Sequence, residues 1–488
     1  MRFEIDVTAH RLNLLRAESA GPAFFSSGVL HEASRLQSVM YWVYTSRCRC
    51  APYGFAQRSI FTRITLRCAT GRFYMFAPYS SWTSFGATCL DGTSRNKMQR
   101  SRILVINDYH ELGGAEIIYQ LSVDVLKATP CVDVECFDLQ KASLRGSVLT
   151  KTWNFPAAVA LAKTIEAFRP DRVLVHNYHN ALSSSVLWVL RRYKRKYGFL
   201  AYMTCHDFYL VYYNAALMHY VDGKSKPLDL NILRTRRALL ARSSASGPVY
   251  DTFKKMHWHV ARMLGNPTRL FDMFLCPSPF MQEALHKAGI PNTASLFNPS
   301  VMSEPLSQPK VCSRDKIVLA FVGRVAPEKG LSQLIGLARA TSFAYIDHIA
   351  VYGDGPGLPS IRESHTDLIE SGQLVMHGAL PRDKLFAELR RSADALILPS
   401  VGAENAPLVV VEAAQMGLPM LVHDIGSLST FGEEIGNKIK YSFHPTSFVK
   451  ALGEVVAHLS DKNRKYDVSA YSLPAYAVRL ASLMDVGE

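Results

Sequence analysis

From residue 100 onward, short uninterrupted apolar runs alternate with stretches of helical period. "RILVIN" (102–107), "RVLVHN" (172–177), "LAYMTCHD" (200–207) and "MFLCPSP" (273–279) form a first set. A segment rich in Pro and Ser, "FNPSVMSEPLSQPK" (297–310), interrupts the rhythm. It restarts with "KIVLAFVG" (316–323), "HIAVYG" (348–353), "LVMHG" (374–378), "ADALILPS" (393–400) and "PMLVH" (419–423). Strands that are apolar at every position belong to parallel sheets covered on both faces. The pattern predicts an α/β protein with two doubly wound, Rossmann-like domains joined by a linker near 300–312. Neither a repeat of fixed period nor a low-complexity segment is present. Ligands of such sheets bind beyond the carboxyl ends of the strands, so candidate chemistry is expected there.

Residues 1–97 do not share the rhythm. They hold twelve Lys and Arg against five Asp and Glu, and four of the nine cysteines. Rich in Arg and Ser and poor in acid, they have the composition of an organelle transit peptide. A small extra domain, a disordered basic arm and upstream sequence outside the functional unit are the three readings. Met98, just before the first clean strand, favours the last, and a chain beginning there is expected to fold and work.

Composition narrows the class. The 488 residues suit two or three domains, and 48% hydrophobic with 20% charged residues is the balance of a globular protein in water. The sequence has no run of about 18 uncharged apolar residues, which argues against a spanning helix. The N-terminus lacks the basic start, apolar core and small-residue cleavage site of a secretory signal. Cysteines without metal-ligand spacing fit a reducing compartment, and Cys48 and Cys50 have no second pair to complete a zinc site. The net charge of +14 calls for an anionic partner: nucleic acid, an acidic membrane surface or a phosphorylated substrate.

The strand ends carry the motifs. "GGAE" (113–116) supplies Gly113 and Gly114, which let backbone amides approach a ligand at a helix start; alone, it is equally a tight turn. "VGRVAPEKG" (322–330) brackets a turn at Pro327 with Arg324 and Lys329, two cations suited to a diphosphate, or else a solvated loop. "YGDGP" (352–356) places Gly353 and Gly355 after a strand. Leu358 occupies the third-glycine position of a dinucleotide fingerprint, which counts against a dehydrogenase.

"PSVGAENAPLVVVEAAQMG" (399–417) is the most informative stretch. If "ADALILPS" is a strand, 401–406 is its carboxyl-end loop, with Glu404 in it, and Pro407 opens the next helix. Glu412 then lies about 7.5 Å further along the helix axis. The free amides at the helix start, around Asn405, Ala406, Pro407 and Leu408, form an anion site between the two carboxylates. A nucleotide-sugar matches this layout, with Glu412 on the ribose, the helix start on the phosphates and Glu404 on the sugar. The plainer alternative leaves Glu404 exposed and pairs Glu412 with a neighbouring cation.

Taken together, "GGAE", "CHD", "GRVAPEKG", "YGDGP", the "HG" at 377–378 and "PSVGAENAPLVVVEAAQMGLP" resemble the retaining family 4 glycosyltransferases of the GT-B fold, over about residues 100–480. The resemblance implies an acceptor-side Rossmann-like domain at 98–300, a nucleotide-sugar-binding one at 310–465 and a cleft between them. It also implies a C-terminal helix (466–488) that crosses back over the first domain. It implies metal-independent transfer of a hexose from a nucleotide-diphospho-sugar, with no cofactor. By the same resemblance His206, Arg324, Lys329 and Glu404 are catalytic. Gly113, Gly114, Gly353, Gly378, Asn405, Ala406, Pro407, Leu408 and Glu412 are donor-binding, and no residue binds metal. With no carboxylate nucleophile evident, retention suggests that the acceptor attacks on the face from which the phosphate leaves. The acceptor implied is a saccharide or a lipid-linked saccharide, in surface polysaccharide biosynthesis. Asp207 is either acceptor-facing or a cap, and the aromatic "HDFYLVYYNAALMHY" (206–220) and the leader depart from the family pattern.

Two rivals stand beside this reading. A nucleotide-sugar epimerase of the same architecture would consume donor without an acceptor. A non-catalytic anion or nucleic-acid binder would use the charge, but the basic clusters lack interleaved aromatics, so no nucleic-acid partner is expected. His176 with His179, or His257 with His259, has no third metal ligand. "RRYKRKYG" (191–198) and "RTRRALLAR" (234–242) are solvated helix faces or contacts to an anionic cytoplasmic leaflet. The expected location is therefore cytoplasmic, peripheral at the inner membrane face.

Overall fold

The structure is a computed structural model and describes residues 62–68, 71–77, 100–110, 113–139, 153–222, 224–300, 315–461 and 463–487. The linker expected near 300–312, from residue 301 on, and most of the leader lie outside the described residues. Within the leader, Thr62–Cys68 and Gly71–Ala77 pair antiparallel in register from Thr62 with Ala77 to Cys68 with Gly71. The sequence reading named no element there, although Ile64 and Leu66 alternate with Arg63, Thr65 and Arg67 as a half-apolar strand does.

The first parallel sheet is built from β1 (Ser101–Ile106), β2 (Val132–Phe137), β3 (Arg172–Val175), β4 (Leu200–Thr204), β5 (Met273–Cys276) and β6 (Thr293–Ser295). Its order is β6-β5-β4-β3-β1-β2. Successive residues of β1 enter opposite cores. Ile103 and Val105 join Tyr119, Leu126 and Tyr476, whereas Leu104 and Ile106 join Leu161, Val186 and Phe274. All four β1 side chains are fully buried, each contributing about 1.5–3 kcal/mol of apolar transfer energy. This two-sided burial is why the run carries no polar alternation.

The second sheet comprises β7 (Ile317–Val322), β8 (Ile346–Tyr352), β9 (Leu374–Gly378), β10 (Ala395–Leu398), β11 (Met420–His423) and β12 (Lys438–Tyr441). The order is β9-β8-β7-β10-β11-β12, all parallel. Ile317, Leu319 and Phe321 face one core; Val318 and Ala320 face the other. The strand order reverses between β1 and β3 in the first sheet and between β7 and β10 in the second, which opens a crevice at each set of carboxyl ends. These are the two Rossmann-like halves of a GT-B-like fold with a central cleft.

The C-terminal helix Leu473–Met484 starts at Ser472, whose side chain caps the Ala475 amide. Tyr476, Leu480 and Met484 pack into the first domain's core, where the Tyr476 hydroxyl meets Ser122 Oγ at 2.7 Å. Just before it, Tyr471 stacks on Phe297 and abuts Phe431 of the second domain.

Candidate active site in the cleft

The loop after β7 is held to its neighbours by glycines that cannot be replaced. A Cβ on Gly330, at φ +73°, would stand 1.8 Å from the Pro399 carbonyl, and one on Gly353, at φ +154°, would stand 1.9 Å from the Gly323 carbonyl. Backbone bonds from Val325 to Asp354 (2.9 Å), Gly353 to Gly378 (2.8 Å) and Val401 to Glu328 (3.0 Å) tie the ends of β7, β8, β9 and β10 together. Gly353 is thus placed where only glycine packs. Gly378 has φ +74° and open space where a Cβ would stand.

This lashing sets the Lys329 ammonium 2.6 Å from Glu404 Oε1, and the Ser400 hydroxyl donates to the same oxygen at 2.6 Å. Arg324 is exposed and pairs with Glu328 one turn on. The helix Leu408–Gln415 follows, with Pro407 at its N-cap. Its run of three valines is a poor helix former, so burial drives it: Val410, Val411, Ala413 and Ala414 lie in the core. Asn437 Nδ2 bonds the Val410 carbonyl at 3.0 Å. On the remaining face Glu412 pairs with Arg382, the arrangement of the plainer alternative. Burial raises the Glu412 carboxyl above its ordinary range, and the Arg382 charge opposes this. Ser400 and Arg382 were not singled out from the sequence.

The first domain meets this loop through Asn405. Its Nδ2 donates to the Cys205 carbonyl at 2.8 Å, and its Oδ1 accepts from Ser278 Oγ at 2.9 Å. The Ser427 hydroxyl in turn donates to the Asn405 carbonyl. Asn405, expected on the donor, is therefore also a bridge between the domains. Ala403 N–H adds a bond to the Ala216 carbonyl at 3.3 Å. Because the bridge joins Cys205 to Asn405, their neighbours His206 and Glu404 are each one residue from it.

His206 Nε2 lies 2.9 Å from His176 Nδ1, and the two rings stack with centroids 5.1 Å apart. Burial lowers the His206 pKa to about 4 and pushes that of His176 well below its ordinary value, helped by the neighbouring His206. Both are neutral at pH 7, so one ring nitrogen donates and the other accepts. His176 thus serves His206, and His179 goes elsewhere: it lies 3.4 Å from Asp207 and stacks on Tyr209. Asp207 caps the turn Phe208–Leu210 by accepting from the Tyr209 amide at 2.8 Å. His259 meets the Tyr213 hydroxyl at 3.1 Å. Among the described residues no group of three or more His, Cys, Asp or Glu could hold a metal ion.

Gly113 caps the helix Gly114–Ala128 after β1, in extended backbone that any residue adopts. A Cβ on Gly114 would meet open space, and one on Gly113 only the end of Glu116. Neither glycine is demanded by packing. Both leave the helix start bare.

Residues 303–468 match the family model described as "Glycosyl transferases group 1". The chain is 28% identical over 217 residues to a GDP-mannose-dependent alpha-mannosyltransferase of Mycobacterium tuberculosis (strain CDC 1551 / Oshkosh), covering 41% of this chain and 52% of that protein. The chain thus spans about half the length of that curated relative. Among solved structures, sucrose-phosphate synthase from Thermosynechococcus elongatus aligns with a TM-score of 0.54 at 15% identity, covering 79% of this chain and 98% of that one. The lipopolysaccharide outer core galactosyltransferase WaaB, in its apo form, aligns at 0.51 and 16% identity, covering 78% and 99%. At these identities the two structures speak for the fold.

Proposed function

We propose that this chain, whose residues 303–468 match the model of glycosyl transferases group 1, transfers a hexose from a nucleotide-diphospho-sugar to a saccharide or lipid-linked saccharide, with retention and without a metal. The observation that carries this reading is the Lys329–Glu404–Ser400 cluster at the β7/β10 switch point, bridged through Asn405 to the loop of His206. Arg324 and Lys329 take the diphosphate, and the bare start of the helix at Leu408 adds amide dipoles. As the phosphate leaves, these fixed positive groups stabilise its growing charge, each worth about 2–4 kcal/mol of barrier. An incoming diphosphate competes with Glu404 for Lys329 and frees that carboxylate to face the sugar. Glu412 takes the ribose hydroxyls while Arg382 holds it in place. Gly113, Gly114, Gly353, Gly378, Ala406 and Pro407 shape the donor side. His206, neutral, offers a hydrogen bond near the sugar without adding charge. The acceptor attacks from the leaving-group face, and the departing phosphate takes its proton. Residues 1–97 lie outside this working unit.

The mannosyltransferase relative makes GDP-sugars the first donors to try. The test is release of nucleoside diphosphate from UDP-, GDP- and ADP-sugars against a panel of saccharides and polyprenyl-linked saccharides. Release that requires acceptor and survives a chelator is expected. Donor turnover without acceptor would favour an epimerase. Loss of activity with chelator, restored by a divalent ion, would overturn the metal-free reading.

A further inference from the structure

The 18-residue helix Pro248–Gly265 is built inside out. Towards the protein it presents polar groups, each satisfied. Asp251 accepts from the Ser243 amide and hydroxyl at 2.7 and 2.6 Å and pairs with Lys255 at 2.7 Å. Lys255 Nζ also donates to the carbonyls of Leu239 (2.9 Å) and Ala241 (2.7 Å). Trp258 Nε1 donates to the Tyr209 carbonyl at 2.7 Å, and Arg262 donates to that of Leu210. Towards solvent the helix turns Val249, Phe253, Met256, Val260 and Met263, which are 84%, 58%, 57%, 43% and 69% exposed. Spaced by four, three, four and three residues, they form one stripe about 21 Å long. Leu239 and Leu240, also exposed, belong to the short helix that Lys255 ties alongside.

A surface helix ordinarily turns its apolar stripe to the core, and a contiguous apolar patch in water marks an interaction site. Here the stripe is flanked by cations. Arg236 and Arg237 lie exposed on the short helix Arg236–Leu240. Just past the long helix, Arg191, Arg195 and Arg269 line an open hollow with Lys194 and Asn266.

We propose that this face docks on the surface of a bilayer containing anionic lipid, with the stripe at the acyl boundary and the arginines on the headgroups. The partner must be apolar opposite the stripe and negative beside it, where the short helix lies alongside and where the hollow at Asn266 follows. A second copy would set arginines against arginines. Residues 1–97, with twelve basic and five acidic side chains, carry the same sign. An amphipathic helix with basic flanks lies in the plane of the membrane interface, where anionic headgroups attract its cations. The proposal goes beyond the transfer reaction, because lipid binding needs no donor. It also moves the docking element from residues 191–198 and 234–242 to helix 248–265, with Arg236 and Arg237 kept as a flank. Lys194 is engaged internally, at 2.7 Å from the Leu270 carbonyl and 2.6 Å from Asp272, and Arg191 and Arg195 remain as a flank.

The test is flotation of the full chain with phosphatidylcholine vesicles and with vesicles mixed with phosphatidylglycerol, at low and high salt. Binding to the anionic vesicles at low salt is expected, weakened but not abolished by salt. The double variant Phe253→Ser/Met256→Ser should bind about tenfold more weakly or worse, with unchanged circular dichroism and Tm. The double variant Arg236→Glu/Arg237→Glu should lose the preference for anionic lipid. Absence of wild-type flotation at low salt, or flotation unmoved by the Phe253/Met256 change, would overturn the proposal. A dimer in solution that Phe253→Ser dissociates would also overturn it and assign the face to a second copy.

Discussion

At the carboxyl end of the first sheet the polar groups are uncharged or satisfied within the domain. Among them are the neutral pair of His176 and His206, Asp207 closing a turn, Asp108 bonded by the amides of Asn180, Ala181 and Leu182, and Asp138 bonded by Tyr119. At the same end of the second sheet they are charged and already in pairs, Lys329 with Glu404, Arg324 with Glu328 and Arg382 with Glu412. Two sheets of like construction thus present opposite surfaces to one cleft. The second suits an anion that can exchange for a carboxylate. The first suits an uncharged, hydroxyl-rich partner beside which a fixed charge would be a liability.

The largest expected effect lies on the charged side. Glu404→Gln and Arg324→Ala should each lower turnover about a hundredfold or more while leaving circular dichroism and Tm unchanged, since both residues sit in cleft loops. Near wild-type rates in both variants would remove the distinction between the two sides.

On the neutral side the signature is a pH dependence of stability. The His206 pKa falls from its ordinary 6.5 to about 4 on folding. Between those values the unfolded chain binds a proton that the folded chain refuses. Stability is therefore complete above about pH 6.5 and is lost as pH falls towards 4, by at most about 3 kcal/mol. His176 acts in the same direction. Glu412, whose folded pKa is raised, acts oppositely and is most stabilising at low pH. Urea unfolding at pH 7.5 and 4.5 should show the loss in the wild type and a smaller one in His206→Asn. Equal losses would mean that the pair is not kept neutral by burial.

A smaller effect sits at the seam. Asn405→Ala leaves the Cys205 carbonyl and Ser278 hydroxyl without their partner, at a cost of about 1–3 kcal/mol. Its unfolding midpoint should fall, and amide exchange around 205–206 should quicken. No change in either would mean that the two sides are not coupled through this residue.

The sequence showed the interior strands and hid most of the edges. Each strand buried on both sides was visible as an apolar run. Within the two six-stranded sheets the three it did not show, β2, β6 and β12, are all edge strands. Asp133 and Glu135 in β2, and Lys438 and Lys440 in β12, alternate with apolar residues because an edge is half open to water. In the site, Arg324, Lys329, Glu404 and Glu412 were legible because their spacing follows the chain from strand to loop to helix. Arg382 was not, since it reaches Glu412 from thirty residues away. The bridging role of Asn405 depends on how two domains meet, which no local pattern encodes. The period of helix 248–265 was present in the sequence, but period alone does not say whether a stripe faces inward or outward.

The central claim is that the charged side receives a nucleoside diphosphate, and thermal unfolding tests it without knowledge of the acceptor. UDP, GDP and ADP would each be titrated against the wild type, Glu412→Ala and the double variant Arg324→Ala/Lys329→Ala. At about a hundred times its dissociation constant the correct nucleotide should add about 2.7 kcal/mol of stability. Glu412→Ala should need more of it, and the double variant should lose most of the shift. No stabilisation by any of the three, or an equal shift in the double variant, would contradict the account.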